Sequence, residues 1–120
     1  MDPPERGAVK GNPMLRIHDV AVELVREVMP VLREIDRKDP DLARQARRAV
    51  MSMPLNIAEG SEQVGKRRAF HYRVALGSAR ETWSALLVGE AANYIAAPSP
   101  ELKNRFNHVI GTLHRCVYRK

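Results

Sequence analysis

One stretch has the spacing of a phosphate-binding loop. Gly60-Ser61-Glu62-Gln63-Val64-Gly65-Lys66 repeats the order glycine, four residues, glycine, lysine, in which backbone amides cradle phosphates and a following Ser or Thr hydroxyl reaches Mg²⁺. Arg67 stands where that hydroxyl is needed, and the preceding segment is patterned as helix instead of the buried strand such a loop follows. The nucleotide reading fails there. His18, His71, His108 and His114 include no pair at i,i+4 and no Glu three residues before any of them, so neither a helical zinc site nor a di-iron bundle is expected, and no cofactor is called for. Cys116, the only cysteine, borders an apolar stripe and reads as a small core residue. No nucleophile, base and orienting group come together, and the chain is expected not to be an enzyme.

A polar line is better defined. Arg48, Ser52, Asn56 and Glu59 recur at i, i+4, i+8 and i+11, one side of a helix, with Arg47 off the line against the apolar face. Farther on, Glu81 falls within an apolar stripe beside Gly77 and Ser78, where a bare carboxylate is costly unless paired. An arginine of the earlier helix is the expected partner. Arg47, Arg48, Ser52, Asn56, Glu59 and Glu81 are therefore read as a structural polar network that fixes helix register.

The basic residues point outward. The 120 residues carry 20 Lys+Arg against 14 Asp+Glu, a net charge of +6, which favours polyanionic partners. The excess is local: residues 41–80 hold eight basic and three acidic side chains and 105–120 hold four and none, whereas 1–40 hold seven and eight. Arg105, His108, Thr112, Arg115 and Arg119 form a polar stripe on the last helix, where the dipole alone favours cations near the C-terminus. Lys66-Arg67-Arg68 sits at a helix N-terminus, where the dipole disfavours them. An anionic partner would offset that repulsion. Lys66, Arg67, Arg68, Arg105, Arg115, Arg119 and Lys120 are the candidate nucleic-acid contacts, to phosphates and hence without sequence preference.

These residues need four helices to position them. Residues 1–13, with three prolines and two glycines, read as a flexible arm, and 14–120 as one domain. Ile17, Val20, Ala21, Leu24, Val28, Val31, Leu32 and Ile35 recur at helical steps, with a kink expected at Pro30. Asp39 as cap and Pro40 at the first position open a second helix, which carries Leu42, Ala46, Ala49, Val50, Met53 and Ile57 on one face, passes Pro54 and ends by Gly60. The third is expected from Lys66 to Ile95. Ser99 and Pro100 open a fourth, striped by Leu102, Phe106, Val109, Ile110, Leu113 and Val117. Short connections predict an all-α, antiparallel up-down four-helix bundle. No apolar run approaches the ~18 residues of a membrane helix, and a single cysteine suits the cytoplasm.

The third helix carries two apolar stripes. Phe70, Val74, Ala85, Val88, Ala92 and Ile95 line one, and Tyr72, Leu76, Ala79, Trp83, Leu87 and Tyr94 line another more than a quarter-turn away. One face suffices for the protein's own core, unless the helix makes a wide core contact in the middle of the bundle that takes both. The aromatic stripe, through Tyr72, Leu76, Trp83, Leu87 and Tyr94, is the expected interface between subunits.

Arg47-Arg48-Ala49, Ser52-Met53-Pro54-Leu55-Asn56-Ile57-Ala58-Glu59-Gly60, Ala75-Leu76-Gly77-Ser78 with Glu81, and Asn93-Tyr94-Ile95 together resemble the four-helix bundle proteins encoded in intervening sequences of bacterial large-subunit ribosomal RNA genes. The resemblance spans about residues 47–95. It implies an up-down bundle assembled as a homopentamer. The related accessory protein of diversity-generating retroelements is a basic nucleic-acid binder that works with a reverse transcriptase, so the resemblance also implies such an enzyme among the partners. Leu15-Arg16-Ile17-His18 stands where an aromatic-containing segment is usual, and Ser61-Glu62-Gln63-Val64 replaces a glycine-rich stretch. The sequence reading is a non-enzymatic oligomer that binds DNA or RNA non-specifically. The alternative is an assembly or adaptor protein whose charge only keeps it in solution. A helix-turn-helix regulator fits less well, because the third helix is long for a reader and its two stripes leave little free face.

Overall fold

A computed structural model of the chain describes residues 13–118. The expected arm, residues 1–12 of it, lies outside the described residues, as do Arg119 and Lys120. Four helices follow in order: α1 (Pro13–Asp36), α2 (Pro40–Ser61), α3 (Gly65–Ala91) and α4 (Pro100–Tyr118). Each packs on its neighbours in sequence, and α4 closes back on α1, as in an up-and-down bundle. Ile17, Leu24, Val28, Leu32 and Ile35 of α1, Val50, Met53 and Ile57 of α2, Leu76 and Leu86 of α3, and Phe106, Val109 and Leu113 of α4 fill the core. Their steps of three and four residues are those of the periodicity that defined the helices. Pro30 is exposed and Pro54 buried, and the helices run through both.

The ends explain the boundaries. Asp39 Oδ1 accepts from the Leu42 amide at 3.0 Å, and the Tyr94 hydroxyl donates to Asp39 Oδ2 at 3.4 Å, so one carboxylate caps α2 and ties the α1–α2 turn to the α3–α4 connection. Ser99 Oγ accepts from the Leu102 amide at 3.1 Å and caps α4 in the same way. Alanine at Asp39 should cost ~0.5–2 kcal/mol, the usual loss for an N-cap, read from the midpoint of a urea melt.

α3 stops four residues before the expected Ile95. Asn93 takes a left-handed conformation (φ 65°), and the Tyr94 amide reaches back to the Gly89 carbonyl at 2.8 Å. That is the arrangement by which a helix satisfies its last carbonyls, usually on Gly and sometimes on Asn. The turn sends Ile95 into the core beside Gly89, where an added Cβ would stand 3.0 Å from Ile35 Cδ1 and 3.5 Å from Ile95 Cδ1.

Both stripes of α3 contribute to the core, the aromatic one more than the sequence expectation has it, the other through Ala85 and Ile95. Tyr72, Leu76 and Ala79 are buried in the protein's own core, Trp83 is half-buried with its ring centroid 5.2 Å from that of Phe106, and Tyr94 is held by Asp39. Of the aromatic stripe only Leu87 is exposed. Phe70 and Val88 of the other stripe face solvent. Composition favoured aromatics as interface residues, but α4 arrives on that side and Phe106 needs Trp83 as a neighbour. Cys116 is corrected too: it is exposed, at the margin of the α4 stripe, with its thiol 3.5 Å from Met14 Sδ.

Candidate functional site

The α2–α3 seam holds the polar network. Asn56 Nδ2 donates to the Ser52 carbonyl and hydroxyl, both at 3.0 Å, the Ser78 hydroxyl donates to Ser52 Oγ at 2.9 Å, and His71 Nδ1 donates to Asn56 Oδ1 at 3.0 Å. Thr82, fully buried, donates to the Ser78 carbonyl at 2.8 Å. Because antiparallel helices pass at fixed height, these bonds set Ser52 level with Ser78 and Asn56 level with His71. Ser52 and Asn56 are in the network that the sequence predicts. His71 and Thr82 join it unforeseen, since fifteen positions separate His71 from Asn56 and only the register joins them.

The charged members stand apart. Glu81 is exposed and makes no ion pair among the described residues, so the expected buried Arg–Glu81 pair is replaced by a surface carboxylate. Of the stripe it follows, Ala85 and Ile95 are buried while Phe70 and Val88 are exposed. Arg48, also exposed, lines a polar cleft with Gln45, Ala49, Ser52, Ser78 and Glu81. Glu59 is exposed and accepts from Gln63 at 3.1 Å, and Arg47 is half-buried on the opposite flank of α2.

Two glycines of the seam differ in kind. A Cβ on Gly60 would stand 2.5 and 2.6 Å from ring carbons of Tyr72, a buried side chain whose hydroxyl donates to Ser61 Oγ at 3.2 Å, while Ser61 donates to the Ile57 carbonyl at 2.9 Å. Pinned at both ends, the ring cannot retreat. Gly60→Ala should therefore cost roughly 1–3 kcal/mol of overpacking, against about 1 kcal/mol of helix propensity gained, and show as a lowered urea midpoint. Gly77 has nothing within 4 Å of an added Cβ. Glycine inside a helix is about 1 kcal/mol worse than alanine, and no contact within the chain requires it there.

The candidate cations fall at different heights of the bundle, and one of them, Arg68, lines a cleft at one end. The N-terminal turn of α3 and the C-terminal turn of α4 meet there, and Met14, Ser61, Gly65, Arg68, Ala69, Tyr72 and Cys116 line a common cleft of about 370 Å³. Lys66 and Arg67 are exposed on the first turn of α3, whose N-cap Val64 offers no side-chain hydrogen bond, so the opening amides there are left to solvent or ligand. Arg68 Nε donates to the Gly60 carbonyl at 3.4 Å, which gives that cation a place against the negative end of α2 that the sequence did not disclose. Arg115 is exposed and donates to Thr112 Oγ1 at 3.3 Å. Arg105 does not join them: it lies ten residues before Arg115, roughly 15 Å up the helix, paired with Glu27 at 3.1 Å.

Among the described residues no three His, Cys, Asp or Glu side chains gather as a metal site, and no helix is long and apolar enough to cross a membrane. Fold and site define a small all-helical bundle with its polar chemistry in one helix–helix seam and at one end. The chain belongs to the family of 23S rRNA-intervening sequence proteins, whose family model matches residues 14–115. No curated protein and no solved structure matches it.

Proposed function

We propose that the protein is a non-enzymatic, self-assembling cytoplasmic bundle that binds DNA or RNA through phosphates at the end carrying Lys66, Arg67, Arg68 and Arg115. One observation supports this reading: the antiparallel path puts the first turn of α3, with Lys66, Arg67 and Arg68, at the same end of the bundle as the last turn of α4, with Arg115, although nearly fifty positions separate them, and Arg68 and Cys116 line one cleft there. Arg119 and Lys120 continue the basic run of α4 in sequence. Several copies would repeat the patch, and weak sites acting together gain avidity. The resemblance adds a homopentamer as the assembly and a reverse transcriptase as a partner that such an accessory would serve.

The adaptor reading draws on a specific observation of its own. Arg68, Arg105 and Arg115 each have a partner within the chain, so their charge has a local use. A titration of the wild type against single-stranded DNA, duplex DNA and RNA at several salt concentrations separates the two. Phosphate binding gives a log K that falls linearly with log salt, by about 0.9 per phosphate neutralised on duplex DNA, with little preference among sequences. Absence of binding at physiological salt would retire the nucleic-acid reading in favour of the adaptor.

A further inference from the structure

The exposed face of α3 follows a regular step. Phe70, Val74, Gly77, Glu81, Ser84 and Val88 recur at alternating intervals of four and three, the spacing by which one helix presents a continuous seam to another. Most of this seam is uncovered within the chain: Phe70, Gly77, Glu81, Ser84 and Val88 are exposed and Val74 half-buried, Glu81 shares a polar cleft with Arg48, and Gly77 has open space around it. α2 presents a matching edge. Arg48, Met51 and Leu55 are exposed, Leu55 to 68%, where a helix that needed only its own core would carry polar residues.

Heights connect the two edges. The Ser52–Ser78 and Asn56–His71 bonds fix which residues of α2 and α3 stand level, so Arg48 is level with Glu81, Met51 with Gly77, and Leu55 with Val74. A second copy related by rotation about an axis parallel to the bundle keeps all these heights. The α2 edge of one copy then meets the α3 edge of the next with a cation opposite a carboxylate, a long apolar side chain opposite a glycine, and leucine opposite valine.

We propose that a second copy of this chain docks there, Arg48 of one copy pairing with Glu81 of the next and Met51 filling the space left at Gly77. This rests on the self-assembly reading given above and says which surface performs it. Being head-to-tail, the contact can repeat around a closed ring. It also gives the carboxylate within an apolar seam a partner, and the mid-helix glycine a use.

Sedimentation or light scattering of the full chain and four variants tests it, with circular dichroism to show that each remains helical. Arg48→Glu and Glu81→Arg should each dissociate the assembly. The double variant should restore it, and in an equimolar mixture the two single variants should associate with each other in even-numbered or open species that neither forms alone, which a pair formed within one chain could not bring about. Gly77→Leu should also dissociate it while leaving the chain folded, because the added side chain meets open space in a single copy. A monomeric wild type overturns both the assembly reading and this surface. An assembled wild type whose charge-reversed and Gly77→Leu variants stay assembled overturns the surface alone, and single variants that dissociate without rescue in the double or the mixture overturn the Arg48–Glu81 pairing.

Discussion

Alanine at Lys66, Arg67 and Arg68 together should lower the salt dependence of nucleic-acid binding by about two to three in the slope of log K against log salt, at roughly 0.9 per lost phosphate contact on duplex DNA. Lys66 and Arg67 stand exposed beside uncapped amides, where nothing within α3 favours a cation. They should account for most of the change. Arg68 is shared with the Gly60 carbonyl, so it contributes less than a full contact, and the range of two to three reflects that division. Binding should weaken alike on unrelated sequences, because phosphate contacts position a protein without reading bases. Arg105→Ala, which removes a cation already paired with Glu27 and remote from this end, should leave the slope nearly unchanged. An unaltered affinity and slope in the triple variant would move the contact to α4, and a slope that fell equally in Arg105→Ala would show that the charge acts as a diffuse field instead of a patch.

Phe106→Ala should be the most damaging single truncation, at roughly 3–5 kcal/mol. The side chain is fully buried and its ring lies 5.2 Å from that of Trp83, so its removal forfeits both its own burial and the support of a half-buried indole. For a domain near this length each kcal/mol moves the midpoint by several degrees, giving a fall of more than about 10 °C in Tm. Trp83 is the only tryptophan, and its emission should shift to the red as water reaches it in the variant. A midpoint within a degree or two of the wild type would mean that α4 is not held through this contact.

The residues read from spacing divide along a physical line. Helix existence, the Asp39 and Ser99 caps, and the apolar stripes of α1, α2 and α4 were legible because they depend on neighbours three or four positions away. The early stop of α3 was not, since Asn93 in a left-handed conformation competes with a helical pattern that continues through Ile95, and the turn is fixed by burying Ile95 beside Gly89 and Ile35. Ser52 and Asn56 were legible as one face of α2. That they bond to Ser78 and His71 was not, because the register between two antiparallel helices is a relation across the fold.

Charge and apolar surface follow the same division. A chain of this composition has an excess of cations and an α3 with two apolar faces wherever it folds, and both features are in the order of the residues. The height at which each cation stands follows helix direction: antiparallel packing puts the start of α3 and the end of α4 at one end and leaves Arg105 partway along the bundle against Glu27. How much of each stripe of α3 enters the core was settled by the helices that arrive beside it, with Phe106 of α4 meeting Trp83 and Gly60 of α2 receiving the ring of Tyr72. Periodicity marks a face as apolar from local spacing alone, whereas its burial is a property of the neighbour that covers it, and that neighbour comes from far along the chain.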